Sequence, residues 1–175
     1  MRLLYEIDKK DYKQNGTVCA RPSVRGIIIN DDKLAMIHSL KYNYYKFPGG
    51  GAEPGETHTS TLIREVKEES GLDVDEGSVR EYGYVHRIQK GQSEDIFIQD
   101  NYYYLCSVKD GIGSQSLDDY EQDEQFSLEY VTARHALEVN MGESHGEKDN
   151  NRHFKGMIER ENEVLRLLIE DFFKG

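Results

Sequence analysis

Residues 50–72 read GGAEPGETHTSTLIREVKEESGL, and this stretch decides how the chain is interpreted. Proline and glycine are frequent in residues 48–55, so a turn-rich loop is expected there. A helix is predicted to begin near Thr57 or Thr59, whose hydroxyl groups can accept hydrogen bonds from its first backbone N–H groups. Gly71 fits the end of the helix, because glycine adopts the left-handed conformation at little cost. The stretch therefore predicts a glycine-rich loop that leads into one helix.

Three glutamates fall on one arc of this helix. At about 100° per residue, Glu68 lies about 60° to one side of Glu65 and Glu69 lies about 40° to the other. Like charges at this spacing repel each other and do not stabilise a helix by themselves. Carboxylate oxygens around a hard cation explain the arrangement, and Mg²⁺ or Mn²⁺ is the natural ion. A solvated acidic face that binds no metal is the alternative.

The same stretch resembles the Nudix box, G-x5-E-x7-R-E-U-x-E-E-x-G-U with U apolar, because every fixed position is filled. The resemblance implies a Nudix (MutT-like) hydrolase, which cleaves a diphosphate bond in a nucleoside diphosphate linked to another group with the help of a divalent metal. It implies that Glu65, Glu68 and Glu69 hold the metal and serve catalysis. A backbone carbonyl at Gly50 can add a ligand, and Arg64 can orient a carboxylate.

Family members often take one more acidic residue from a loop after the later strands. The acidic run 118–125 precedes a strand-like segment at 126–131 and is the candidate here. Glu124 is the preferred residue because it lies just ahead of that segment, and Glu121 is the second choice. The alternative is that the whole run is a solvated loop.

Candidate substrate contacts surround the glycine loop. Small residues at 49–51, namely Gly49, Gly50 and Gly51, leave room for metal and substrate beside the helix. Arg25 and Lys46 suit phosphate contacts, although either can equally be a surface charge. Tyr45 belongs to a group of tyrosines just before the loop; such a ring can stack on a base, but packing against the loop is the commoner role.

The pattern of the whole chain is rich in strands, with two or three helices. Strands are expected at 2–7, 18–29, 33–38, 79–87, 95–108 and 126–131, with 18–29 and 33–38 forming a hairpin. A helix is expected to start within 132–137, a mobile loop to span 139–151, and an amphipathic helix to span 152–173. The apolar stripe of that last helix either packs on the core or forms a homodimer contact.

The resemblance implies an α/β/α sandwich with a mixed β-sheet, consistent with the order of elements. We expect one domain over residues 1–175, with a core supported by the motif at about 18–131.

Composition limits the partners. The chain has 175 residues and a formal net charge of −11, without a basic run, which argues against duplex nucleic acid and against an anionic membrane. A small phosphate-rich molecule remains compatible if a metal supplies the counter-charge. The two cysteines, Cys19 and Cys106, are read as buried thiols of a reducing compartment, and the N-terminal residues lack a signal-peptide core, so a cytoplasmic protein is expected.

Two function classes follow. The intact motif favours a metal-dependent hydrolase of a nucleotide derivative, and a non-catalytic nucleotide-sensing Nudix domain is the alternative. A structural Ca²⁺ site on an acidic helix is a third reading. Metal-dependent turnover separates the first from the other two, and the motif leaves the identity of the nucleotide derivative open.

Overall fold

The computed structural model describes residues 1–142 and 144–174. Within these residues the chain forms twelve strands, four α-helices and two short 3-10 turns, at Glu76–Ser78 and Gly146–Asn150. The strands are β1 (Leu3–Asp8), β2 (Val18–Ala20), β3 (Ser23–Ile27), β4 (Ile29–Asn30), β5 (Lys33–Ser39), β6 (Tyr44–Lys46), β7 (Gly49–Gly51), β8 (Leu72–Val74), β9 (Arg80–Gln89), β10 (Ile96–Leu105), β11 (Val108–Ile112) and β12 (Phe126–Val131). The helices are α1 (His58–Ser70), α2 (Asp119–Asp123), α3 (Ala133–Asn140) and α4 (Arg152–Phe172).

The strands run in both directions. The largest sheet has the order β1-β9-β10-β3-β7, with β2 also paired to β10. In it, β1 is parallel to β9 and β3 is parallel to β10, whereas β9 is antiparallel to β10 and β7 is antiparallel to β3. A second sheet has the order β12-β5-β4, with β6 also paired to β5, and β11 pairs with β8. The expectation of mixed strand pairing is therefore confirmed.

Helices cover both faces of the sheets. Successive side chains of a strand point to opposite faces, and β5 shows this: Ala35 packs in the cluster that contains Leu62 of α1. Its neighbours Leu34 and Met36 pack in the cluster that contains Leu165 of α4. Helix α3 contributes to this second cluster as well. The predicted α/β/α sandwich is thus confirmed.

Helix α1 begins and ends where local sequence signals place it. The Thr57 hydroxyl accepts a hydrogen bond from Ser60 N at 3.1 Å, and the Ser60 hydroxyl accepts one from Thr57 N at 2.9 Å. These two bonds form a capping box. At the other end, Gly71 has a φ of 76° and its N–H donates to Lys67 O at 2.9 Å.

Residues 18–29 do not form the single strand that was predicted. Strands β2 and β3 both pair with β10, at residues 96–98 and 101–105, and are separated by Arg21 and Pro22. Proline has no N–H group to donate to a ladder, which accounts for the interruption. In the predicted hairpin, Ile29 and Asn30 pair with β5, and Ile28 O accepts a hydrogen bond from Ala35 N at 3.0 Å.

The segment after α3 is more tightly held than the predicted mobile loop. His145 is buried, and its Nδ1 and Nε2 atoms lie 3.0 Å from Tyr42 O and 3.1 Å from Asn140 O. The 3-10 turn Gly146–Asn150 follows directly. Glu143, which also falls in the predicted loop, lies outside the described residues.

The apolar stripe of α4 packs on the core, as one of the two alternatives proposed. Leu165 and Leu168 have no exposed surface, while Phe172 at the end of the helix is exposed. Cys106 is buried as expected, but Cys19 is only half-buried on the short strand β2, and both are free thiols. Among the described helices, none combines the length and the apolar character needed to cross a membrane.

The end of α1 gives a test of the fold. In Gly71→Ala the new methyl group would lie 2.3 Å from the Gly113 carbonyl oxygen in addition to the strained φ. Gly111 also has a positive φ, but a methyl group there meets no atom of the described residues within 4 Å. We expect Gly111→Ala to lower the free energy of unfolding by about 1 kcal/mol and Gly71→Ala by about 3 kcal/mol, measured by urea denaturation. Equal losses would show that the close contact with Gly113 does not constrain the helix end.

Candidate functional site

An acidic cavity lies between α1, the glycine strand β7 and the segment that leads to α2. It has a volume of about 240 Å³. Six carboxylates and two guanidinium groups line it, which leaves an excess of negative charge. The lining residues are Arg21, Gly51, Glu53, Arg64, Glu65, Glu68, Glu69, Ser116, Asp118 and Glu121.

Arg64 organises one wall of the acidic cavity. Its Nε donates to Glu56 Oε1 at 2.7 Å, and its Nη2 donates to Glu56 Oε2 at 2.9 Å and to Gly51 O at 3.2 Å. Its Nη1 donates to Glu65 Oε1 at 2.8 Å and to Glu68 Oε2 at 3.1 Å. One guanidinium thus ties the glycine strand to three carboxylates. Its hydrogen bonds, helped by a backbone bond from Glu53, lower the pKa of Glu56 to about 2.

Glu69 anchors α1 to the glycine strand. Its carboxylate is almost fully buried and accepts from Lys46 Nζ at 2.6 Å and from Gly49 N at 3.0 Å. Lys46 is itself buried, so the two charges neutralise each other inside the protein. Both carboxylate oxygens of Glu69 therefore already have a partner.

Glycine at positions 50 and 51 leaves space for neighbouring charged side chains that a larger residue would exclude. A Cβ atom on Gly50 would lie 2.3 Å from Glu65 Oε2, and one on Gly51 would lie 2.6 Å from Arg21 Nε. Gly49 has a φ of 142° and approaches the backbone of β3. Burial against this strand raises the pKa of Glu65, and Arg64 opposes the shift. The glycines at 50 and 51 therefore allow charged groups to approach the backbone closely.

The acidic cavity suits a hard divalent cation, although its carboxylates do not form a ready-made cage. Within residues 1–142 and 144–174, no three His, Cys, Asp or Glu side chains converge as metal ligands. Arg64 occupies oxygens of Glu65 and Glu68, which explains the lack of convergence. The donors are all oxygens, and the pKa of Glu121 is raised by burial and by the charge of Glu69. Crowded carboxylates of this kind fit a hard divalent metal ion.

The structure places Glu121 in the acidic cavity and Glu124 elsewhere. Glu124 is buried and accepts from Tyr44 Oη at 2.6 Å and from Lys148 Nζ at 2.5 Å. Ser39 Oγ lies 3.4 Å from the same carboxylate. The sequence-based preference for Glu124 is thus not matched by the geometry, because its oxygens are engaged on the far side of the Lys46–Glu69 pair.

Tyr45 is also not brought to the site. Its ring is buried and stacks on His38 with a centroid distance of 4.3 Å, and its hydroxyl donates to Glu129 Oε2 at 2.7 Å. Its side chain belongs to the core cluster that contains α4. Tyr45 therefore packs in the core, which is the alternative to a base contact.

A second, basic cavity of about 300 Å³ lies on the other side of Lys46. Arg25 and Lys46, both predicted substrate contacts, line it together with Glu124 and with residues that were not predicted as site residues. The lining residues are Arg25, Tyr44, Lys46, Arg87, Gln99, Tyr120, Glu124, Phe126, Lys148, Asn151, His153, Phe154, Met157 and Arg160. Arg87 could have been recognised from the sequence, because the alternation of side chains along β9 places it on the buried face with Val85.

Comparison with known proteins finds one family over most of the chain. A model of the NUDIX domain matches residues 20–148. The chain is 27% identical over 104 residues to Nudix hydrolase 2 of Arabidopsis thaliana, covering 56% of this chain and 37% of that protein. It is 24% identical over 109 residues to a putative ADP-ribose pyrophosphatase, YjhB, of Bacillus subtilis (strain 168), covering 60% and 50%. It is 31% identical over 113 residues to an RNA pyrophosphohydrolase of Marinomonas sp. (strain MWYL1), covering 59% and 70%.

The chain thus spans half or less of the length of the first two of these relatives. Two of the matching solved structures illustrate the shared fold. A NUDIX hydrolase from Nitrosomonas europaea is 18% identical with a TM-score of 0.54, and the match covers 89% of each chain. A MutT NUDIX hydrolase from Burkholderia pseudomallei is 16% identical with a TM-score of 0.52, covering 81% of this chain and 98% of that one.

The contact between Arg64 and Glu56 gives a pH prediction. In the folded protein the pKa of Glu56 is about 2, below its ordinary value of 4.5. Ionised Glu56 therefore stabilises the fold at pH values above 4.5. That contribution is lost as the pH falls through the folded pKa. Carboxyl NMR titration should show Glu56 ionised down to about pH 2, and Arg64→Met should move its pKa back toward 4.5. A pKa near 4.5 in the unmodified protein would contradict the contact.

Proposed function

Because the chain belongs to the Nudix family, as residues 50–72 predicted, we propose that it is a pyrophosphohydrolase that uses Mg²⁺ or Mn²⁺. The bond cleaved is a diphosphate bond in a nucleoside diphosphate linked to another group. The observation that carries the proposal is the acidic cavity, where six carboxylates of the chain meet beside the glycine strand. A site with this excess of negative charge attracts a phosphate-rich molecule only together with a cation.

In this proposal the carboxylates have different roles. Glu65 and Glu68 hold the metal, with the Gly50 carbonyl as an added ligand, because their only partner among the described residues is the guanidinium of Arg64. Glu69 is also proposed as a metal-site residue, but its hydrogen bonds from Lys46 and Gly49 mainly hold α1 against the glycine strand. A bound divalent metal neutralises phosphate oxygens and lowers the pKa of a coordinated water. Arg64 sets the orientation of Glu65 and Glu68.

We further propose Glu121, in place of Glu124, as the additional carboxylate. Glu121 lines the acidic cavity, and its pKa is raised by burial. A raised pKa suits a group that must take a proton near neutral pH. Its bonds to Asp118 N and Tyr120 Oη, both 2.9 Å, fix its orientation from within α2 and its cap.

The substrate is proposed only as a class. The named activities of the relatives include an RNA pyrophosphohydrolase and a putative ADP-ribose pyrophosphatase, and both describe hydrolysis at a phosphate anhydride. Weak binding to duplex nucleic acid, a cytoplasmic location and the homodimer remain predictions. A non-catalytic nucleotide-sensing domain is the alternative function, and it would bind nucleotide without turnover.

A screen of nucleoside triphosphates, nucleotide sugars, ADP-ribose, dinucleoside polyphosphates and 5′-triphosphorylated RNA tests the proposal. Release of phosphate, pyrophosphate or a nucleoside monophosphate is measured with Mg²⁺, with Mn²⁺ and after exhaustive chelation. Turnover of at least one compound that stops on chelation supports the hydrolase. Saturable nucleotide binding with no turnover of any compound would instead support the sensing domain.

Glu68 is the best single position at which to test the metal site. Its side chain is 41% exposed, and its ion-pair partner among the described residues, Arg64, is itself 26% exposed, so Glu68→Gln removes charge with little effect on packing. We expect turnover to fall by about 10² or more while the unfolding midpoint stays unchanged. Glu138→Gln, at an exposed position of α3, is the matched control and should keep full activity. Similar rates in the two variants would place the metal elsewhere.

Glu121 and Glu124 can be told apart by kinetics and stability together. Glu121→Gln should reduce kcat by about 10² and change KM little, because general-base catalysis contributes about this much. Glu124→Gln should mainly lower the unfolding midpoint, since it leaves Lys148 without its buried carboxylate. A large loss of kcat from Glu124→Gln alone would restore the assignment made from the sequence.

A further inference from the structure

The basic cavity concentrates positive charge in an acidic protein. The chain carries a formal charge of −11, yet five cationic side chains and one carboxylate line this cavity. The cationic residues are Arg25, Lys46, Arg87, Lys148 and Arg160. None of them lines the acidic cavity, so the two cavities have opposite character.

Two of these five cations have no carboxylate partner among the described residues. Lys46, Lys148 and Arg160 each form an ion pair, with Glu69, Glu124 and Glu161 respectively. Arg25 and Arg87 form none among the described residues, although only 8% of Arg25 and 3% of Arg87 is exposed. Burying a charge without a counter-charge is strongly unfavourable. The cavity therefore contains an unbalanced positive charge that an anion would neutralise.

The guanidinium of Arg87 is held by neutral groups. Its Nε donates to Gln89 Oε1 at 2.9 Å and its Nη2 donates to His153 O at 3.0 Å. Helix α4 comes close enough for these contacts because residue 156 is glycine: a Cβ atom there would lie 2.7 Å from Arg87 Nε. The site thus fixes the orientation of the guanidinium and leaves its charge uncompensated.

Buried polar atoms without a hydrogen-bond partner among the described residues lie at the same place. Among the described residues, four buried side-chain atoms have no hydrogen-bond partner, and three of them are Arg25 Nε, His153 Nε2 and Gln89 Nε2. Arg25 and His153 line the cavity, and Gln89 holds Arg87. Burial and the neighbouring Arg160 lower the pKa of Arg87 to about 9. Buried polar atoms are normally hydrogen-bonded, so this cluster suits the binding of a polar ligand.

We propose that the basic cavity is a phosphate subsite in which Arg87 and Arg25 are the charged contacts. Two guanidinium groups match the charge of a phosphate dianion, whereas one carboxylate would neutralise only one of them. The phosphate group belongs either to the substrate, beyond the bond that is cleaved, or to a separate phosphate ion. Binding here does not depend on hydrolysis in the acidic cavity.

Titration with inorganic phosphate in the presence of EDTA tests the subsite. The chelator removes metal that would draw phosphate to the acidic cavity, and sodium chloride keeps the ionic strength constant. Calorimetry should give saturable binding to the unmodified protein, together with a rise in its unfolding midpoint. Arg87→Met should weaken the affinity about tenfold or more. Arg134→Met, at an exposed position of α3, should leave it unchanged.

Stability separates loss of the site from loss of the fold. Without phosphate, Arg87→Met should unfold at the same or a higher temperature than the unmodified protein, because it removes an uncompensated buried charge. Gly156→Ala is the second variant: it keeps the charge but displaces the guanidinium, and it should also weaken phosphate binding. No saturable binding to the unmodified protein, or equal affinities of the folded Arg87→Met, Gly156→Ala and Arg134→Met variants, would overturn the proposal.

Kinetics then identify the source of the phosphate group. If the subsite takes a phosphate of the substrate, inorganic phosphate should raise KM in the unmodified protein but not in Arg87→Met. If it takes a separate ion, saturating phosphate should leave KM unchanged. Phosphate binding without hydrolysis of any screened nucleotide would contradict the proposed function but support the phosphate subsite. Hydrolysis of a nucleotide without phosphate binding would support the proposed function and contradict the phosphate subsite.

Discussion

Buried charged groups hold the turn that separates the two cavities. Phe47 N donates to Glu161 of α4 at 2.7 Å, and Gly49 N donates to Glu69 of α1 at 3.0 Å. The carbonyl oxygens of the same two residues accept from Arg25 Nη1 of β3, at 3.1 and 2.6 Å. Hydrogen bonds to charged groups contribute about 1.5–3 kcal/mol each, and buried backbone groups left unpaired are strongly unfavourable. Two helices and a central strand are thus joined through one turn, and the position of the glycine strand depends on it.

The same turn divides the charges of the protein. The Lys46–Glu69 pair lies between the acidic cavity, which Glu69 lines, and the basic cavity, which Lys46 lines. Because both side chains are buried, removing either charge would leave the other uncompensated in a medium of low polarity. Glu69 therefore belongs to the proposed metal site and also supports the wall, so a substitution at this position changes both at once. The more exposed Glu68 does not have this ambiguity.

Local signals in the sequence predicted what local interactions determine. The start of α1 was predicted near Thr57 or Thr59 and its end at Gly71. The observed cap at Thr57 and the end at Gly71 each depend on residues within four positions, so local signals were enough to predict them. The separation of Glu121 from Glu124 depends on distant partners instead. Glu124 is held by Tyr44 and Lys148, which are 80 and 24 residues away, and no spacing within the acidic run reveals these contacts. The strand at 126–131 was likewise predicted, whereas the single strand at 18–29 was wrong, because β2 and β3 both pair with the distant β10.

Net charge is a poor guide to a single buried site. A charge of −11 argues against a long polyanion, whose binding sums contributions over a wide surface. A single phosphate group responds to the field within one cavity, where low-polarity walls strengthen nearby charges. Arg87 is the residue through which the sequence indicates such a site. It lies with Val85 and Gln89 on the buried face of β9, where an unpaired arginine is unfavourable. An arginine on the inward face of a strand therefore points to a buried partner or a ligand, and among the described residues no carboxylate fills that role.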